Sequence, residues 1–136
     1  MKIRDILKNK RTLSFEFFPP KSAEEIPAVS SVISKLRVFN PSFISVTYGA
    51  GGTTRAFTEE LVIRAKRETK IESMAHLTCV GQTKEQVHDV LVRLEKAGID
   101  NIIALRGDPP NGQKEFVPAD GGFAHATDLI AHVRDH

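Results

Sequence analysis

The side chains able to do acid–base or ligand-binding chemistry recur at regular intervals. Glu16 lies between aromatic residues in Ser14-Phe15-Glu16-Phe17-Phe18, and Pro19-Pro20 follow. Thr47 and Tyr48 close a second apolar run, Phe43-Ile44-Ser45-Val46. His76 and Thr78 stand late in a third, Glu72 to Cys79. Arg106, Gly107 and Asp108 follow a fourth, Asn101 to Leu105. A carboxylate among phenylalanines is expected to be poorly solvated, which favours its protonated form. An acid of that kind suits proton transfer. Plainer uses exist for each residue. Glu16 can occupy the wet face of an edge strand. His76 can be a satisfied core histidine. Arg106 and Asp108 can pair with each other, a bond worth little if exposed.

The elements that must position these residues read as alternating strands and helices. Pro19-Pro20 cannot continue a ladder, so the first strand, about Leu13 to Phe18, stops there. Ser22 with Glu25 has capping-box form, and Pro27 fits the first position of a helix. Val29, Val32, Ile33 and Leu36 give that helix one apolar side. Phe43 to Thr47 is a second strand, and Tyr48 to Arg55 a glycine-rich loop. Thr58 is expected to cap the next helix, with Leu61, Val62 and Ala65 as its stripe. Thr83 and Gln86 form a capping box ahead of Val87, Val90, Leu91 and Leu94, and Gly98 stops that helix. Leu129, Ile130 and Val133 suggest a last helix.

Strand starts recur at roughly 29–30 residues, one βα unit each. Short buried strands alternating with amphipathic helices make a parallel sheet. A doubly wound sheet and a (β/α) barrel both satisfy this pattern. In either, ligands bind at the C-terminal strand ends, where Glu16, Thr47, Tyr48, His76, Arg106 and Asp108 all fall.

Composition narrows the function classes. The chain has 136 residues, 40% hydrophobic and 26% charged, an ordinary globular balance. A net charge of +2 gives no argument for nucleic acid, and no basic cluster is interleaved with aromatics. No run approaches the ~20 apolar residues of a membrane span. The opening Met1-Lys2-Ile3-Arg4-Asp5 lacks a signal-peptide pattern. Cys79 is the sole cysteine, which excludes an internal disulfide and fits a reducing, cytoplasmic compartment. Metal binding is disfavoured because no C-x2-C pair occurs. The glycine loop lacks both the dinucleotide and the P-loop patterns, and no G-x-S-x-G elbow is present. His88 falls off its helix's apolar stripe and is expected to face water.

Four of these stretches resemble one family in order and spacing. Ser14-Phe15-Glu16-Phe17-Phe18-Pro19-Pro20-Lys21, Phe43-Ile44-Ser45-Val46-Thr47-Tyr48-Gly49-Ala50, Ala75-His76-Leu77-Thr78-Cys79 and Ile103-Ala104-Leu105-Arg106-Gly107-Asp108 resemble the first four strands of methylenetetrahydrofolate reductases. The resemblance implies an α/β fold of the (β/α)8 TIM-barrel type, of which residues 1–136 supply about the first four βα units. It implies FAD as cofactor, and reduction of 5,10-methylenetetrahydrofolate to 5-methyltetrahydrofolate with NADH or NADPH. Glu16 is then the general acid. Asp108 faces the pterin and the flavin ring. Thr47, Tyr48, Ala50, His76, Arg106 and Gly107 match FAD contacts, and a cationic Arg106 suits an anionic cofactor. His125 departs from the family's pattern, where a tyrosine is frequent.

Four units are half of a barrel of about eight units and ~250 residues. Two strand edges are then expected to remain unpaired, and such edges invite association. The expected consequences are a missing C-terminal half, edge-to-edge homo-oligomers, or an inactive half-barrel module without flavin chemistry.

Overall fold

The computed structural model describes residues 1–9, 11–49, 54–109 and 112–136. Its centre is a four-stranded sheet of β1 (Ser14–Phe17), β2 (Phe43–Val46), β3 (Glu72–Thr78) and β4 (Asn101–Leu105). The strands are parallel and lie in sequence order. Helices α1 (Ile3–Asn9), α2 (Ile26–Lys35), α3 (Arg55–Thr69), α4 (Lys84–Lys96) and α5 (Ala126–Asp135) complete the described elements, with short 3-10 turns at Ala23–Glu25 and Leu36–Phe39.

Side-chain alternation divides the sheet into two unlike faces. Phe15 aligns with Ile44, and Phe17 with Val46 and, through it, Ala75. These residues pack with Leu77, Ile102 and Ala104 against Ile33 of α2, Leu61 and Val62 of α3, Val87 and Leu91 of α4, and Leu129 of α5. The helical core therefore lies on one face only. A doubly wound sheet needs helices on both faces and a strand order that reverses. Consecutive parallel order with the helical core on one face is consistent with β/α-barrel winding. β1 and β4 are the two edges, each pairing on one side among the described residues.

Local chemistry explains most boundaries. The Thr83 hydroxyl accepts from Gln86 N (3.3 Å), and Gln86 Oε1 accepts from Thr83 N (3.0 Å), so the expected capping box starts α4. Gly98 takes the left-handed φ of +76° that ends it. β4 has the expected bounds.

Three local expectations are corrected. Ser22 makes no side-chain cap, and Glu25 instead accepts from Lys21 N at 3.0 Å. Val32 is exposed, because α2 turns Ile26, Ser30 and Ile33 inward. Thr58 is not a cap: α3 begins a turn earlier, after Thr54. Thr58 is buried, and its hydroxyl donates to Thr47 O at 2.9 Å, tying α3 to the end of β2.

Candidate functional site

The sheet face turned away from the helical core carries Glu16. Register places Glu16 beside Ser45, and Ser45 beside Met74; His76 follows two residues later on the same side. The Ser45 hydroxyl donates to Glu16 Oε2 at 2.8 Å. His76 Nε2 lies 3.3 Å from the same oxygen, near enough to pair but without a hydrogen bond's alignment. Ser45 is 5% exposed, whereas the Glu16 side chain is 54% exposed. The expected desolvation of Glu16 among phenylalanines is therefore absent. Phe15 and Phe17 point to the helices, and strand alternation sends Glu16 the opposite way.

His76 is not a satisfied core histidine. Burial lowers its affinity for a proton, and the neighbouring Glu16 carboxylate partly opposes this. The net result lies below the ordinary imidazole value. Near it on the same end of the sheet, Thr47 Oγ1 and Thr78 Oγ1 are buried without a hydrogen-bond partner. Natural interiors leave few such atoms unpaired, so their concentration at the ends of β2 and β3 suits a polar ligand.

Tyr48 belongs to a different part of this end of the sheet. It packs against the helical core, close to Arg55 and Gln82, although neither makes an aligned hydrogen bond to its oxygen. Burial pushes the phenol up to about 12, with the Arg55 charge acting in the opposite direction. Gly49 is adjacent, and a Cβ there would overlap the Thr54 side chain. Ala50 and the rest of the expected glycine loop, residues 50–53, lie outside the described residues.

Beyond β4 the chain passes close over β3. Gly107 has φ +87°, and a Cβ on it would meet Thr78 Cβ and Val80 Cγ1, each at 3.1 Å. Both the backbone angle and the space require glycine. Arg106 and Asp108 are exposed on either side of it. They do not pair with each other: the Arg106 guanidinium stands 5.2 Å from the centre of the Phe116 ring. Asp108 has no hydrogen-bond or ion-pair partner among the described residues. Cys79 is buried beneath this turn, its thiol donating to Leu105 O and His125 O at 3.5 Å. Burial pushes that thiol above its usual range, which marks it as structural.

The structure thus joins Glu16 with His76, and sets Thr47, Thr78 and Gly107 around the same end of the sheet. Sequence reasoning missed Ser45. Its signal was available: Ser45 is 29 residues from Glu16, one βα period, and two before Thr47. His125 stands at the start of α5, where its N–H donates to Asp128 Oδ2 at 3.0 Å. His88 is exposed as expected, yet its ring also meets His132 of α5 and His136 just after that helix, at centroid separations of 5.9 and 4.9 Å. Among the described residues no group of three or more His, Cys, Asp or Glu is arranged to hold a metal. A cleft of about 610 Å3 lies elsewhere, against Met1, Arg37, Lys70 and Glu72 at the opposite ends of the strands.

The profile of the Methylenetetrahydrofolate reductase family matches residues 2–136. The chain belongs to this family. It is 41% identical over 134 residues to a protein named probable methylenetetrahydrofolate reductase (NADH) from Oryza sativa subsp. japonica, an alignment covering 98% of this chain and 23% of the relative. A methylenetetrahydrofolate reductase (NADH) 1 from Arabidopsis thaliana is 40% identical with the same coverage. The 5,10-methylenetetrahydrofolate reductase of Pectobacterium carotovorum subsp. carotovorum is 36% identical over 131 residues, 95% of this chain and 41% of that protein. The chain therefore spans less than half the length of these relatives. No described helix is long and apolar enough to cross a membrane.

Proposed function

We propose that this chain is the N-terminal half of a (β/α)8 reductase barrel that converts 5,10-methylenetetrahydrofolate to 5-methyltetrahydrofolate with FAD and NADH or NADPH. The observation that carries the reading is the Glu16–Ser45–His76 cluster on the face away from the helical core, beside the buried, unpartnered Thr47 Oγ1 and Thr78 Oγ1. Family membership supports it.

The residues present suit a flavin. Unpartnered Thr47 Oγ1 and His76 Nε2 offer hydrogen bonds, and Gly107 lets the turn after β4 sit close against Thr78 beside them. Tyr48, Ala50, Arg106 and Asp108 would complete this chain's contribution, Arg106 meeting negative charge and Asp108 facing both flavin ring and pterin. When bound, FAD supplies the hydride relay between nicotinamide and folate; the protein's part is to bind, orient and tune. Glu16 would hold the proton delivered to folate as the methylene bridge opens. Its 54% exposure means that the remaining barrel wall must close over it before the acid works in a dry site. The same closure would pair the free edges of β1 and β4.

The test uses the full-length protein. It should show a flavin spectrum, and Glu16→Gln should keep flavin reduction by the nicotinamide near its native rate. Folate reduction should fall by about 100-fold or more, the size of a lost general acid. A colourless full-length protein, or equal loss of both half-reactions, overturns the reading.

A further inference from the structure

We propose that Ser45 is the positioning residue for Glu16, fixing which carboxyl oxygen is free to carry the transferable proton. The inference rests on the function proposed above for its catalytic meaning, but the contact itself stands on geometry.

Glu16 is an exposed side chain on an edge strand, with little packing to hold its carboxyl group in one orientation. Ser45 is its opposite: buried, on the neighbouring strand, and in direct register with it. Its hydroxyl donates to Oε2 at 2.8 Å, and His76 Nε2 approaches that same oxygen. Oε1 has no hydrogen-bond partner among the described residues. A serine donor makes Oε2 the accepting oxygen, so a proton on the carboxyl group resides on Oε1. Oε1 is then the oxygen left for a ligand on the open face. Without Ser45 the carboxyl group is free to rotate into water, away from His76.

His76 reports this arrangement without any need for activity. Glu16 is its titratable neighbour, and the carboxylate favours the protonated ring. NMR titration of the His76 ring in the 136-residue chain should move to lower pH in Ser45→Ala, and likewise in Glu16→Gln. Adding Ser45→Ala to Glu16→Gln should produce no further change, because both act through one contact. Ser45→Thr, which keeps the hydroxyl, should titrate like the native chain. An unchanged His76 titration in Ser45→Ala, or additive effects in the double variant, overturns the proposal. In the full-length protein Ser45→Ala should lower folate reduction by about 10- to 100-fold, the scale of a misplaced group. Flavin reduction should be unchanged and Ser45→Thr should restore activity. Equal loss in both half-reactions overturns positioning. The expected His76 shift in a full-length protein that lacks flavin chemistry leaves the pinning standing and refutes the function.

Discussion

Replacing Gly107 by alanine separates two penalties that glycine avoids at this turn. The first is conformational: φ is +87°, and a side chain in left-handed backbone costs about 1–2 kcal/mol. The second is steric: the new Cβ would stand 3.1 Å from both Thr78 Cβ and Val80 Cγ1. Neither neighbour is the loose end of a flexible chain, so the strand must shift, at about 1–3 kcal/mol for an overpacked site. The sum is about 2–5 kcal/mol. Gly98 supplies the control. It has φ +76°, but a Cβ there would meet nothing within 4 Å, so Gly98→Ala should cost only about 1–2 kcal/mol. Urea denaturation of the native chain and both variants measures the difference. Gly107→Ala should lose at least about 1 kcal/mol more than Gly98→Ala. Equal losses would refute the claim that close approach to β3, rather than backbone angle alone, requires glycine between Arg106 and Asp108.

Thr58→Val should destabilise the fold by about 1–3 kcal/mol in the same assay, because it removes a buried donor and leaves Thr47 O without it; a neutral result would show that this link is dispensable. Tyr48 is the sole tyrosine and no tryptophan is present, so ultraviolet titration reads it directly. Its midpoint should lie near 12 rather than 10 while the chain stays folded. His76 gives an acid-side prediction. Its folded value lies below the unfolded value of 6.5, so the unfolded chain binds more protons as pH falls below that point. The His76 contribution to stability is present above pH 6.5 and is lost progressively below it. Denaturation across that window should show a shallower loss in His76→Gln, and identical pH slopes would contradict the assignment.

Much of this molecule follows from local sequence. Thr83 and Gln86 start α4 because both halves of a capping box are encoded three residues apart. Pro19 and Pro20 lie just beyond β1, and the βα period sets Glu16, Thr47, His76 and Arg106 at one end of a parallel sheet because each unit repeats the same strand-to-loop geometry. The motifs also carried the family. Other features needed the tertiary structure. Two faces of one strand cannot be told apart until helices cover one of them. The sequence around Glu16 therefore suggested burial among phenylalanines, whereas packing turned those rings inward and left the carboxyl group with Ser45 and His76 on the open face. Thr58 has the side chain of a cap, but the fold starts α3 a turn earlier and uses its hydroxyl across to β2. Ser45 looked like an ordinary strand residue, and it gained a role only when parallel register set it 2.8 Å from a carboxylate 29 residues away. Residue type and spacing determined which chemistry was available and at which end of the sheet. Register and the choice of covered face decided which groups touch, because those depend on contacts that a one-dimensional pattern does not contain.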